Sequence, residues 1–170
     1  DQKMVRLDID VSIMDNSDTK KEGAEYTYDN RFGFAPIFAH FGGGWLVNLE
    51  LRPGNVHSSG PGTGDFIKAS LEYGQRMVKD APLLTIMDSG FDSAELMGIM
   101  HRRQGSEFII KHNLRRESDQ KWLEEARNNA VWKQDFKNRK EKGTKYYGSI
   151  YKQVKGIDSP VRMVFEVTEI

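Results

Sequence analysis

Residues 83–92, Leu83-Leu84-Thr85-Ile86-Met87-Asp88-Ser89-Gly90-Phe91-Asp92, read as a short apolar strand that ends on a carboxylate and turns through a glycine. Asp92 and Glu95 have the spacing of a capping box, which opens a helix reaching about Gln104. Upstream, Asp65 is placed to cap a helix running to about Lys79, with Ile67, Leu71, Gly74 and Val78 along one side and Pro82 after its end. Downstream, Gly105 breaks the second helix and Glu107-Phe108-Ile109-Ile110-Lys111 forms another strand. A third helix fits residues 119–129, with Trp122, Leu123 and Ala126 as its apolar side.

The preceding residues are written in a different period. From Met4 to Met14 apolar and polar residues alternate, so Leu7, Ile9, Val11 and Ile13 share one face of a strand and Asp8, Asp10 and Ser12 the other. Asp is a poor strand former, and two on one face repel unless a cation or a basic group lies between them. Residues 15–31 are polar, without periodicity, and read as a loop. Residues 33–41 and 45–52 read as a hairpin joined at Gly42-Gly43-Gly44. Gly60 to Gly64 lacks the Gly-Lys-Ser/Thr ending of a phosphate cradle and reads as a flexible loop. Three antiparallel strands followed by strand–helix alternation describe an α/β fold, a mixed sheet with helices on its faces. From residue 130 the texture turns basic, aromatic and strand-like. The expected organisation is therefore a core over 1–129 and the start of a β-rich insertion over 130–170.

Composition narrows the function classes. The chain has 170 residues and no cysteine, which excludes disulfides, thiolate metal sites and a cysteine nucleophile. No apolar run approaches the roughly 18 residues of a membrane span, so a cytoplasmic setting without a membrane partner is expected. The net charge of zero conceals a division: residues 1–100 carry nine Lys/Arg against fifteen Asp/Glu, and residues 101–170 carry sixteen against ten. His40, His57, His101 and His112 have no zinc spacing, and no Gly-x-Ser-x-Gly elbow surrounds Ser89. A chain that starts on Asp1 and stops in a strand is expected to be a piece of a longer protein.

In open mixed sheets, functional groups collect at the carboxyl ends of strands. Asp88 ends an apolar strand, and Asp10 projects from the polar face of the first. If the fourth strand lies beside the first, the two carboxylates converge. Paired carboxylates without neighbouring His or Cys suit hard cations such as Mg²⁺, and a pair of such ions serves phosphodiester cleavage.

The wording of the motifs carries a resemblance. Leu7-Asp8-Ile9-Asp10-Val11-Ser12, Lys21-Glu22-Gly23-Ala24, Gly33-Phe34-Ala35-Pro36, Leu49-Glu50-Leu51-Arg52-Pro53-Gly54 and Met87-Asp88-Ser89-Gly90-Phe91-Asp92 resemble the DDE transposases of bacterial insertion sequences, group 1 of the DDE domains. The resemblance implies an RNase H-like core, a triad of two Asp and one Glu, and two divalent ions, Mg²⁺ or Mn²⁺. Asp10 matches the first triad carboxylate and Asp88 the second, with Asp8 as a neighbour, either an auxiliary metal ligand or merely a polar residue. The third, a Glu on a late helix, belongs to a motif expected beyond Ile170. Strand alternation accounts for Glu166 and Glu169.

The same resemblance implies double-stranded DNA as partner, both the element's ends and the target, with self-association on DNA. Residues 101–155 hold fifteen Lys/Arg against seven Asp/Glu, interleaved with Trp122, Trp132, Tyr146, Tyr147 and Tyr151, a pattern suited to phosphates and bases. Lys111, Arg115 and Arg116, just past the fifth strand, are the candidate DNA contacts. The expected activity is metal-dependent hydrolysis and strand transfer at insertion-sequence ends, in the bacterial cytoplasm against the nucleoid. With the third carboxylate missing, the 170-residue piece itself is expected to be inactive. A nuclease of the same fold without strand transfer, or a domesticated DNA-binding domain, are the alternatives.

Overall fold

The computed structural model describes residues 3–114, 117–138 and 140–170, which fall into two compact units, 1–112 and 113–170. The first is built on a five-stranded mixed sheet. Its strands are β1 (Val5–Val11), β5 (Ile37–Phe41), β6 (Trp45–Glu50), β7 (Leu83–Met87) and β8 (Ser106–Ile110), in the spatial order β6-β5-β1-β7-β8. β5 pairs antiparallel with both β6 and β1, whereas β1–β7 and β7–β8 are parallel. This arrangement is compatible with the RNase H-like architecture that the resemblance implies.

The alternation in β1 sends Leu7 and Ile9 into the core, where each is about fully buried, and turns Asp8 and Asp10 to the other face. The buried face is covered by α1 (Thr63–Val78) and α2 (Ala94–His101), whose Phe66, Ile67, Leu71, Leu96 and Met100 pack with Leu7, Ile9, Ile37, Leu83 and Met87. Each such side chain contributes roughly 1.5–3 kcal/mol by leaving water. Both helices start differently from expectation. Gly62, at φ 83°, stands at the N-cap of α1, and Asp65 lies in the first turn, where its charge suits the helix dipole. Ser93, not Asp92, caps α2 by accepting from the Leu96 amide. Asp92 is instead committed to a long-range bond with His112.

The expected first hairpin arm is two strands. The chain bends at Ala35-Pro36, separating β4 (Phe32–Phe34) from β5. β4 joins β2 (Met14–Asp15) and β3 (Glu25–Tyr26) in a second, three-stranded sheet of order β2-β4-β3, so the aperiodic segment 15–31 is partly strand. Two-residue strands carry no readable period; backbone pairing with β4 makes them. Gly54 packs against this sheet so closely that a Cβ there would stand 2.2 Å from the Glu25 carbonyl oxygen.

The second unit contains α3 (Asp119–Asn129) and the antiparallel sheet β11-β10-β9, formed by β9 (Ala130–Lys137), β10 (Lys142–Lys152) and β11 (Val161–Glu169). Ala126, Trp122 and Leu123 of α3 pack on Tyr146, Ile150, Phe165 and Val167. The division between units therefore falls after His112, and α3 sits with the three-stranded sheet, whereas the sequence boundary was expected at 129/130. An amphipathic helix announces that it will bury a face; which sheet receives it is decided by packing. No helix among the described residues is long and apolar enough to cross a membrane.

Candidate active site

Asp10 and Asp88 come together through strand register. β1 and β7 run parallel, and their last paired residues are Ile9 and Met87. Asp10 and Asp88 are each the next residue along, at the carboxyl ends of adjacent strands. Both are exposed. The Val11 amide donates to Asp10 Oδ1 at 2.8 Å, and the Gly90 amide donates to Asp88 Oδ1, also at 2.8 Å. Asp88 thereby caps a single 3₁₀ turn, Ser89–Phe91, whose Phe91 ring is fully buried and pins the turn to the core. Gly90 meets the 53–62 loop: a Cβ there would lie 2.8 Å from Ser58 Oγ and 3.0 Å from Asp88 Oδ1.

Asp8 stands apart from this pair. It lies two residues back along β1, opposite His40 and Ile86, and Arg6 donates to its Oδ1 through Nε at 2.8 Å. The Arg6 guanidinium supplies the basic partner that two carboxylates on one strand face require, and it engages Asp8 rather than Asp10. Lys111 follows the last residue of β8. Its amide donates to the Met87 carbonyl at 3.1 Å, holding the ends of β7 and β8 together beside Asp88, and its side chain is exposed. Arg115 and Arg116 lie outside the described residues.

Two residues that pattern reading left without a role converge on the same end of the sheet. Arg52, 3% exposed, donates from Nε to the Ala35 carbonyl at 3.2 Å and from Nη1 to Thr63 Oγ1 at 3.0 Å. It thus joins the β4–β5 bend, the segment after β6 and the first residue of α1. Burial pushes its pKa down, partly offset by Glu50. The second is His112. Its Nδ1 donates to Asp92 Oδ2 at 2.8 Å, with the Asp92 side chain only 10% exposed. No motif spacing signals that contact, because it is made by a turn and a strand end that only the sheet brings together.

Chemically, Asp10 and Asp88 carry carboxylate oxygens, the donor type that hard divalent cations take, at the ends of neighbouring strands. Among the described residues no group of three or more His, Asp or Glu side chains is placed to hold a metal ion.

No curated protein and no solved structure matches the chain significantly. The family model described as transposase DDE domain group 1 matches residues 1–169. Such a family acts in DNA transposition and recombination and generally uses divalent metal ions. With nearly every residue inside that match, the chain belongs to the transposase DDE domain group 1 family.

Proposed function

We propose that this chain contributes the first two acidic ligands of a transposase active site, Asp10 and Asp88, to phosphodiester cleavage and strand transfer at the ends of a bacterial insertion sequence. The observation that carries the reading is the parallel β1–β7 register, which leaves the two carboxylates as next neighbours past Ile9 and Met87. The residues divide the work. Asp10 and Asp88 hold divalent cations, Mg²⁺ or Mn²⁺, with the backbone amides of Val11 and Gly90 orienting one oxygen of each. Bound there, such ions supply Lewis-acid polarisation of the phosphodiester and neutralise charge on the leaving oxygen. Asp8, already paired with Arg6, tunes the charge of the strand face and is at most an auxiliary ligand. Lys111, beside the end of β7, contacts DNA phosphates together with Arg115 and Arg116. Hydrolysis at the element's end frees a 3′-hydroxyl, and that hydroxyl attacks a phosphodiester of the target, forming the new P–O bond as the old one breaks. The double-stranded DNA of the bacterial nucleoid is the substrate, and copies of the protein associate on it.

Two carboxylates hold and orient cations less well than three, and misplaced reactants lose rate steeply. The 170-residue chain by itself therefore binds metal weakly and cleaves DNA little or not at all. The test is a Mg²⁺ titration followed by NMR, with shifts expected at Asp10, Val11, Asp88 and Gly90. Asp88→Asn, which keeps the cap to Gly90, should abolish that response without unfolding the chain. A response that survives the substitution removes Asp88 from the site, and nicking of terminal-repeat DNA by this chain alone overturns its inactivity.

A further inference from the structure

We infer that His112 is a positioning residue for the Asp88 carboxylate, acting through Asp92; this rests on the proposed role of Asp88 as a metal ligand. Asp88 is exposed and its carboxyl is oriented by the Gly90 amide, so its aim is only as fixed as the turn that carries it. Three attachments are among those that hold that turn. Phe91 anchors it in the core, Gly90 abuts Ser58, and Asp92 is bonded to His112 at 2.8 Å. The third closes a ring. The Lys111 amide is bonded to the Met87 carbonyl, immediately before Asp88; His112 follows Lys111; and His112 reaches back to Asp92, immediately after the turn. Both ends of the Asp88–Asp92 segment are thus tied to the same two residues past β8.

The bond joins a donor to a carboxylate that is 10% exposed, where hydrogen bonds to charged groups are strong and their loss is felt. Removing the imidazole takes away one of the bonds that keep Asp92 inward. The Asp88 turn then samples more conformations, and the two carboxylates spend less time at metal-binding separation. The effect of His112 on Asp88 passes through Asp92 and the backbone of the turn.

The test compares the full 170-residue chain with His112→Ala and His112→Asn, reading Gly90 amide exchange by NMR, the Mg²⁺ midpoint at Asp10 and Asp88, and thermal unfolding. His112→Ala should speed Gly90 exchange about tenfold, the scale expected for one lost hydrogen bond to a charged group, and raise the Mg²⁺ midpoint several-fold. Exchange at Ile9, in the core strand, should stay unchanged. His112→Asn, which retains a side-chain N–H donor, should restore most of both effects. Unchanged Gly90 exchange in His112→Ala, or an Asn variant no better than the Ala variant, overturns the inference. Should His112→Ala fail to fold, Asp92→Ala, which removes the acceptor, replaces it and is read by the same Gly90 exchange and Mg²⁺ midpoint. A wild-type chain without a Mg²⁺ response sinks the metal site, while Gly90 exchange still decides the clasp.

Discussion

Asp10 and Asp88 lie 78 positions apart in the chain, yet each is the residue immediately following the last pair of two adjacent parallel strands. Parallel strands must be joined by a crossover, here β2 through β6 and α1, so the long sequence separation and the neighbouring strand ends have the same origin. A carboxylate pair made this way depends on the sheet's core face as much as on its own atoms.

Leu7 and Ile9 support that core face, and truncating either should be costly. Ile9→Ala, at a position 1% exposed, is expected to destabilise the chain by about 2–5 kcal/mol, through lost burial plus the cavity left behind. Urea denaturation measures it. A loss well under 1 kcal/mol would mean that the β1 core is not packed as described.

Gly54 should tolerate no side chain. A Cβ at this position would meet the Glu25 carbonyl at 2.2 Å and the Gly33 carbonyl at 2.8 Å, both backbone atoms that cannot rotate away. Gly54→Ala is expected to cost about 1–3 kcal/mol or more, with the largest amide shifts in Glu25–Tyr26 and Phe32–Phe34. Shifts confined to residues next to Gly54 in sequence would contradict the small sheet.

Asp29 titrates low. Hydrogen bonds from Arg31 and from the Thr27 hydroxyl hold its pKa down from 3.8 to about 2. A depressed folded-state value means that the contribution of Asp29 to stability is present above about 3.8 and disappears as pH falls through about 2. Carboxyl-detected NMR should place the midpoint near 2, and Arg31→Ala should move it up toward 3.8. An unmoved midpoint in that variant would assign the shift to Thr27 alone.

Lys111 offers a test of DNA contact independent of metal. If its side chain neutralises one phosphate, Lys111→Ala should weaken binding to any duplex sequence about equally. It should also reduce the slope of log affinity against log salt by about 0.9. Fluorescence anisotropy across a salt series reads both quantities. An unchanged slope removes Lys111 from the interface.

Much of the first unit is legible in its residues. The period of two in Val5–Val11 and the apolar run Leu83–Met87 announce β1 and β7, and Asp88-Ser89-Gly90 announces the turn. The capping details are less so: Asp65 and Asp92 have the chemistry of N-caps, but Gly62 and Ser93 take those places. Asp92 leaves the capping role that its spacing predicts because its partner, His112, is twenty residues away and unmarked by any spacing. Arg52 shows the same limit, since a lone Arg in a strand-to-loop segment gives no sign that it will be buried against Thr63.

From sequence alone came the period of each long element, the carboxylates that stand at strand ends, the split of charge between the two halves and the family wording around Asp10 and Asp88. Those follow from local rules, because helix and strand periods and turn chemistry act over a few residues. Tertiary structure decided that β7 lies parallel to β1, that the 15–31 segment contributes a strand, that α3 sits on β10 and β11, and that His112 reaches Asp92. Each of those joins distant residues, and the free energy that selects them comes from burying specific surfaces against one another, which no single segment encodes.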